Sequence, residues 1–241
     1  MSQTEPNTFY FRQLLSGQDL AQDNAIAQQM VNFVYLIGDR QTGEAVVVDP
    51  AYDPAGILDL LEADGMRLVG VLATHYHPDH VGGDFGGFSV QGVSELLELA
   101  SVPIHVQADE ANYVTKTTGI TAADMVLHHS GDVVSVGSVE VEMIHTPGHT
   151  PGSQCFLTRG CLVAGDTLFL EGCGRTDLPG SDPKEMYLSL TQRLARVPDS
   201  ATLFPGHFYS SQPSAPMAET RRSNFVFMPR SVDQWMAMFG A

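Results

Sequence analysis

Thr74-His75-Tyr76-His77-Pro78-Asp79-His80 is the stretch on which the reading of this chain turns. Three histidines and a carboxylate fall within six residues, directly after the apolar run Val69-Gly70-Val71-Leu72-Ala73 and just before Val81-Gly82-Gly83. A short apolar run bounded by turn residues reads as a buried strand, so the polar set leaves a strand end and enters a loop. His75 and His77 flank Tyr76 and can point to one side. Asp79 and His80 follow the turn at Pro78 and can point elsewhere. Neutral imidazoles together with a carboxylate suit Zn, Fe or a similar divalent ion. Two ligand directions from one strand end suggest two adjacent metal positions.

Three later residues extend the pattern. His149 follows Pro147-Gly148 after an apolar segment that ends near Ile144, Asp166 follows Val163-Ala164-Gly165, and His207 follows Phe204-Pro205-Gly206. Each stands at the expected end of a strand. Singly, they could be a turn histidine, a helix cap and a surface residue. Jointly with the first stretch they read as one metal-binding set.

Between these points the chain alternates strands and helices. Phe9–Leu14, Val31–Ile37 and Glu44–Asp49 read as strands, the last two forming a hairpin over Gly38–Gly43. Asp53-Pro54 reads as a helix start, with Ile57, Leu58, Leu60 and Leu61 as the apolar face and Asp64-Gly65 as the stop. Asp84–Val90 is rich in glycine and phenylalanine, 92–100 and 108–116 read as helices, and Pro103–Val106 as a strand. The segment 117–130 has no clear pattern. Strands follow at Asp132–Val136, Val139–Ile144, Gln154–Leu157, Cys161–Ala164 and Thr202–Phe204. A helix is expected from Asp182-Pro183 to about Val197, and a last one after Ser231-Val232-Asp233-Gln234, whose spacing is that of a capping box. Strands first, then alternation, in each half, predicts two packed sheets with helices outside. A chain of 241 residues with 43% hydrophobic content is enough for one substantial core, and a single domain over residues 1–241 is expected.

Other features exclude function classes. The formal net charge is −16, a field that repels phosphate backbones and argues against nucleic acid as a partner. No apolar run approaches the roughly 18 residues of a membrane span, so no membrane partner is expected. Met1–Asn7 has neither a basic segment nor an apolar core, so no secretory signal is read there, and a cytoplasmic location is expected. Cys155, Cys161 and Cys173 form an odd count without paired spacing and fit reduced thiols.

The set His75-x-His77-x-Asp79-His80, His149, Asp166, His207 resembles, in identity and order, that of the metallo-β-lactamase-fold hydrolases. The resemblance runs from about Val31 to Asn224. It implies an α/β fold, the αββα four-layer sandwich, with the site at one edge of the two sheets. It implies one site of His75, His77 and His149, a second of Asp79, His80 and His207, and Asp166 bridging them. Two Zn per chain, with Asp79 as the catalytic carboxylate and a metal-bound hydroxide attacking a carbonyl, follow from the same resemblance.

Fold alone does not fix substrate. Gly172-Cys173-Gly174-Arg175 resembles the loop after the bridging aspartate in glyoxalase II (hydroxyacylglutathione hydrolase) and in persulfide dioxygenases, both of which act on glutathione thiol derivatives. That likeness implies substrate-binding roles for Arg175 and for Tyr209, and a small-molecule thiol-derived substrate. Arg175 could equally form a structural salt bridge, and Tyr209 an amphipathic wall. Cys173 reads as a buried structural thiol, and His105, His128, His129 and His145 match no motif. Two departures stand against glyoxalase II. Only 34 residues follow His207, and the 84–100 segment is extra; it could lengthen a lid or make a subunit contact in a homo-oligomer. Persulfide dioxygenases use one Fe on the counterparts of His75, His149 and Asp166, so Fe is the alternative metal. A thioester hydrolase such as an S-acylglutathione hydrolase is the leading expectation. An iron persulfide dioxygenase, another ester, lactone or β-lactam hydrolase, and a non-enzymatic metal-binding module stand behind it. The absent signal disfavours a secreted lactamase, and the charge disfavours a ribonuclease.

Overall fold

A computed structural model describes residues 8–240; the Met1–Asn7 stretch read for a signal lies outside them. The first half runs β1 (Phe9–Leu15), α1 (Ala25–Met30), β2 (Phe33–Asp39), β3 (Glu44–Val48), α2 (Pro54–Ala63) and β4 (Arg67–Leu72). It continues through α3 (Pro78–Val81), β5 (Gly83–Phe85), β6 (Phe88–Val90), α4 (Val93–Leu99), β7 (Ile104–Gln107), α5 (Ala111–Thr118) and β8 (Met125–His128). The second half runs β9 (Val133–Val136), β10 (Val139–His145), β11 (Gln154–Thr158), β12 (Cys161–Val163), α6 (Pro183–Leu188), β13 (Thr202–Phe204), β14 (Ala215–Pro216), α7 (Met217–Ser223) and α8 (Val232–Phe239).

The strands form two six-stranded sheets, ordered β1-β2-β3-β4-β7-β8 and β14-β13-β12-β11-β10-β9. In β2 the side chains alternate, and both faces are buried. Phe33, Tyr35 and Ile37 pack between the sheets against Val136, Val141, Met143, Phe156 and Val163. Val34 and Leu36 face outward, with Ile57 and Leu61 of α2, Leu96 of α4 and Val114 of α5 in the same cluster. On the far side Ile144, Cys155 and Leu203 pack with Met186, Leu190 and Trp235. The layers are therefore helix, sheet, sheet, helix, the αββα arrangement expected.

Local rules account for most boundaries. Asp53 accepts a hydrogen bond from the Gly56 N–H and caps α2, with Pro54 in its first turn. Asp182 does the same for α6, whose helical path continues through an irregular turn to Arg196, close to the expected end. Ser231 caps α8, but Gln234 reaches back to the Arg230 N–H, so only half of the capping box forms.

Four details differ from the sequence expectation. Val31 is the left-handed cap that ends α1, at φ 50°, so the strand begins two residues later. The metal-type stretch becomes a single helical turn, α3, after His77. The glycine- and phenylalanine-rich stretch forms the hairpin β5–β6, ahead of the helix α4 expected over 92–100. The patternless 117–130 segment contains β8, which closes the edge of the first sheet by pairing with β7.

Candidate metal centre

The candidate ligands come from four strand ends gathered on one rim of the sandwich. His75 and His77 follow β4, Asp79 and His80 lie in α3, His149 follows β10, Asp166 follows β12 and His207 follows β13. The order of the central strands in each sheet places these ends side by side across the inter-sheet gap. His75, Asp79, His80, His149 and His207 are all buried.

Two groups result. His75, His77 and His149 offer ligand atoms within 4.8 Å of one another, and so do Asp79, His80 and His207. In the first, His77 Nδ1 lies 3.1 Å from His75 Nε2 and 3.0 Å from His149 Nε2. In the second, His80 Nε2 and His207 Nε2 are 3.2 Å apart, with Asp79 Oδ2 3.5 Å from His207. Asp166 lies between the groups, its carboxylate 3.6 Å from His149 and 3.4 Å from both His80 and His207. The fold thus brings together the residues expected for each group, with Asp166 between them.

The hydrogen bonds behind the imidazoles decide which nitrogen faces inward. The Nδ1–H of His149 donates to the Arg175 carbonyl and that of His207 to the Met30 carbonyl, each at 2.8 Å. His80 Nδ1 donates to Asp49 Oδ2 at 2.9 Å. The Thr74 hydroxyl donates to Asp49 at 2.6 Å and so accepts from His75 Nδ1 at 2.9 Å. Four imidazoles thus turn Nε2 inward, the arrangement of metal-ligating histidines braced by outer partners. His77 turns Nδ1 inward instead.

The electrostatics ask for positive charge. Burial, reinforced by its histidine neighbours, holds His75 well below the ordinary imidazole range, and burial with His149 brings His77 to about 4; both are neutral donors at pH 7. At His80 burial is outweighed by Asp79, Asp166 and Asp49, and the imidazole rises to about 10. No lysine or arginine pairs with these carboxylates among the described residues. Asp166, despite burial, is held well below the usual carboxylate range by His207 and His80. Its Oδ1 is buried without a hydrogen-bond partner. An orphaned carboxylate oxygen amid inward lone pairs fits a divalent cation.

Close backbone approach completes the site. A Cβ on Gly206 would fall on Asp166 Oδ1, and one on Gly174 on the Asp166 carbonyl and, at 2.9 Å, on the His149 ring. That explains both glycines beside ligands, including the Gly174 of the Gly172–Arg175 loop. Cys173 is half-buried, and burial pushes its thiol up to about 12, consistent with an inert structural role.

Two residues expected to meet substrate have defined surroundings. Arg175 forms a bidentate pair with Asp177, at 2.9 and 2.8 Å, on the surface. Tyr209 lies flat on His207, ring centroids 4.6 Å apart and planes 8° apart, with Phe169 edge-on at 5.3 Å. Half of Tyr209 remains exposed, so its phenol stands at the rim.

Sequence reasoning missed three supporting residues. Asp49, read only as a strand end, accepts from the Thr74 N–H, the Thr74 hydroxyl and His80. Asn32, read as part of a strand, donates to Asp79 Oδ2 at 3.0 Å and receives the Tyr52 hydroxyl at 3.3 Å. Glu110 ties two ligand loops together. A polar residue beside an apolar strand was the available signal for Asp49 and Asn32. Glu110 carried none.

The chain belongs to the metallo-beta-lactamase superfamily, whose family model matches residues 28–207. It is 36% identical over 180 residues to a hydroxyacylglutathione hydrolase of Pseudomonas fluorescens, covering 74% of this chain and 62% of that one. It is 30% identical over 199 residues to the human mitochondrial persulfide dioxygenase ETHE1, covering 80% and 70% respectively. The crystal structure of ETHE1 from Myxococcus xanthus superposes with a TM-score of 0.78 at 27% identity, over 96% of this chain and 90% of that one. Among the described residues no helix is long and apolar enough to cross a membrane.

Proposed function

We propose that this chain is a metal-dependent hydrolase that cleaves a thioester such as an S-acylglutathione. The observation that carries the reading is the set of four Nε2 atoms fixed inward, around a buried Asp166 oxygen that lacks a hydrogen-bond partner. In this reading His75, His77 and His149 would hold one ion and Asp79, His80 and His207 a second, with Asp166 placed between the two groups to serve either. Two Zn is the expected loading, with Fe the alternative. Divalent ions held there would acidify a water and polarise the carbonyl it attacks.

The chain's own residues do the rest. Asn32 fixes the Asp79 carboxylate toward His80 and His207, so that Asp79 orients the attacking water and takes its proton. The burial of the five histidine and aspartate ligands named above keeps bulk water from screening charge that develops on the carbonyl oxygen. Tyr209, braced on His207 and Phe169, offers its phenol to the thiol half of the substrate. Arg175 clamps a substrate carboxylate when it leaves Asp177. The three unpaired cysteines support a reducing compartment such as the cytoplasm.

A second reading, the mononuclear iron persulfide dioxygenase, has a specific observation in its favour. The chain is 30% identical over 199 residues to the human dioxygenase, and the Myxococcus structure superposes over 96% of this chain at a TM-score of 0.78. One experiment separates the two: elemental analysis of protein purified without added metal, beside two assays. About two Zn per chain with thiol release from S-lactoylglutathione supports hydrolysis. A single Fe with oxygen uptake on glutathione persulfide selects dioxygenation. Bound metal with neither activity removes both thiol substrates and leaves an ester, lactone or β-lactam.

A further inference from the structure

Glu110 is 1% exposed, lies in the turn between β7 and α5, and has no lysine or arginine partner among the described residues. Its carboxylate takes three hydrogen bonds from two other chain segments. Oε1 accepts the Tyr76 N–H at 2.9 Å and the Thr150 hydroxyl at 2.7 Å, and Oε2 accepts the Gly152 N–H at 2.6 Å. Tyr76 lies between His75 and His77, and Thr150 follows His149. The two segments belong to different sheets, and only glycine fits at 152, where a Cβ would stand 2.5 Å from the Glu110 backbone N.

We propose that Glu110 is the positioning residue of the His75/His77/His149 group: its carboxylate sets the distance between the two loops that supply those imidazoles. This inference rests on the metal-centre reading above. The geometry makes the role specific. His77 and His149 have inward nitrogens 3.0 Å apart across the inter-sheet gap, and Glu110 holds the Tyr76 backbone N–H one residue from His77 and the Thr150 hydroxyl one residue from His149. The Asp79/His80/His207 group depends on other braces, Asp49, Asn32 and the Met30 carbonyl. Two of the three donors to Glu110 are backbone N–H groups that cannot accept, so only a two-oxygen acceptor satisfies all three. A glutamine must turn its NH2 toward one of them. An aspartate is one methylene too short to span both loops.

The test uses full-length protein in two backgrounds. Asp79→Ala with His207→Ala leaves only the first group, and His77→Ala with His149→Ala leaves only the second. Zn affinity is measured by competition with a chromophoric chelator, and unfolding of the metal-free protein is followed in parallel. Glu110→Gln is expected to weaken Zn binding about 10- to 100-fold in the first background, the range for lost outer-shell partners, and less than threefold in the second. Thr150→Val is expected to follow Glu110→Gln in direction, and Thr150→Ser, which keeps the hydroxyl, to restore affinity. Equal weakening in both backgrounds, or a lower unfolding temperature with unchanged affinity, overturns the proposal and leaves Glu110 a general structural brace. Unaltered affinity in the first background overturns it as well. If the parent backgrounds bind no Zn, the metal-centre reading fails and takes this one with it, an outcome distinct from the others.

Discussion

Replacing Asp49 by asparagine tests how the second ligand group is tuned, because the change keeps shape and alters only hydrogen-bond sense. Asp49 is 3% exposed and accepts three bonds: the Thr74 N–H at 2.8 Å on Oδ1, and the Thr74 hydroxyl at 2.6 Å and His80 Nδ1 at 2.9 Å on Oδ2. The Thr74 N–H cannot accept, so the asparagine oxygen must take the Oδ1 place and its NH2 the Oδ2 place. The Thr74 hydroxyl can rotate to accept. His80 Nδ1 can accept only by moving its proton to Nε2, which fills the lone pair that faces Asp79 and His207. Binding an ion then requires the disfavoured tautomer and a buried donor facing a donor. The expected penalty is about 10- to 100-fold in affinity for the ion at Asp79/His80/His207, or about 1.4–2.8 kcal/mol. Metal-free stability falls by about 1–3 kcal/mol from the one mismatched donor, which in a chain of this size is about 2–12 °C. Zn competition in the His77→Ala, His149→Ala background and thermal unfolding of metal-free protein read the two effects separately. Wild-type affinity in Asp49→Asn would refute the tautomer argument, even if the melting temperature falls.

Three further outcomes are expected. His149→Ala should reduce kcat/KM beyond the roughly 100-fold upper range of outer-shell changes while far-UV circular dichroism stays unchanged; retained turnover would exclude its role as a ligand. If Arg175 reaches substrate only by leaving Asp177, Asp177→Asn should lower KM for an anionic thioester severalfold, leave kcat alone and not affect an uncharged analogue; identical KM values on both substrates would confine Arg175 to a surface pair. His105 Nδ1 lies 2.8 Å from His128 Nε2, and burial, then His128, bring His105 down to about 4. A base whose folded value is depressed stabilises the fold above its unfolded value, near 6.5, and that contribution is lost as pH falls toward 4. At about 1.36 kcal/mol per pH unit the loss is at most about 3 kcal/mol. His128, the neighbour in this contact, lies 3.5 Å from Asp132. Urea unfolding of metal-free His105→Gln should therefore be flatter from pH 7 to 4 than wild type; parallel curves would sink the idea.

The candidate set was legible because its residues are short-range in kind even where they are long-range in space. His75, His77, Asp79 and His80 are packed into one motif, and His149, Asp166 and His207 each follow an apolar run broken by glycine or proline, a local signal of a strand end. Strand periodicity and helix caps at Asp53 and Asp182 likewise depend on neighbours along the chain. The layers could be inferred from the succession of these elements, and the grouping of ligands from resemblance. What failed at the sequence level failed where one residue carries two duties. Val31 fits a strand by composition, yet it ends α1 in a left-handed conformation, which frees Asn32 to reach Asp79. The 125–128 strand has little alternation, since it is an edge with two exposed residues, and only its partner β7 orders it.

The sequence by itself determined the kinds of atoms available: imidazoles and carboxylates at strand ends, in an acidic chain with too few cations to neutralise them. Tertiary structure alone decided their orientation. Which nitrogen faces inward depends on Arg175, Met30, Asp49 and Thr74, and the spacing of the two histidine loops on Glu110, residues from distant segments. A hydrogen bond fixes direction only when both partners are held in space, and no local pattern of residues encodes a partner that lies in the other sheet.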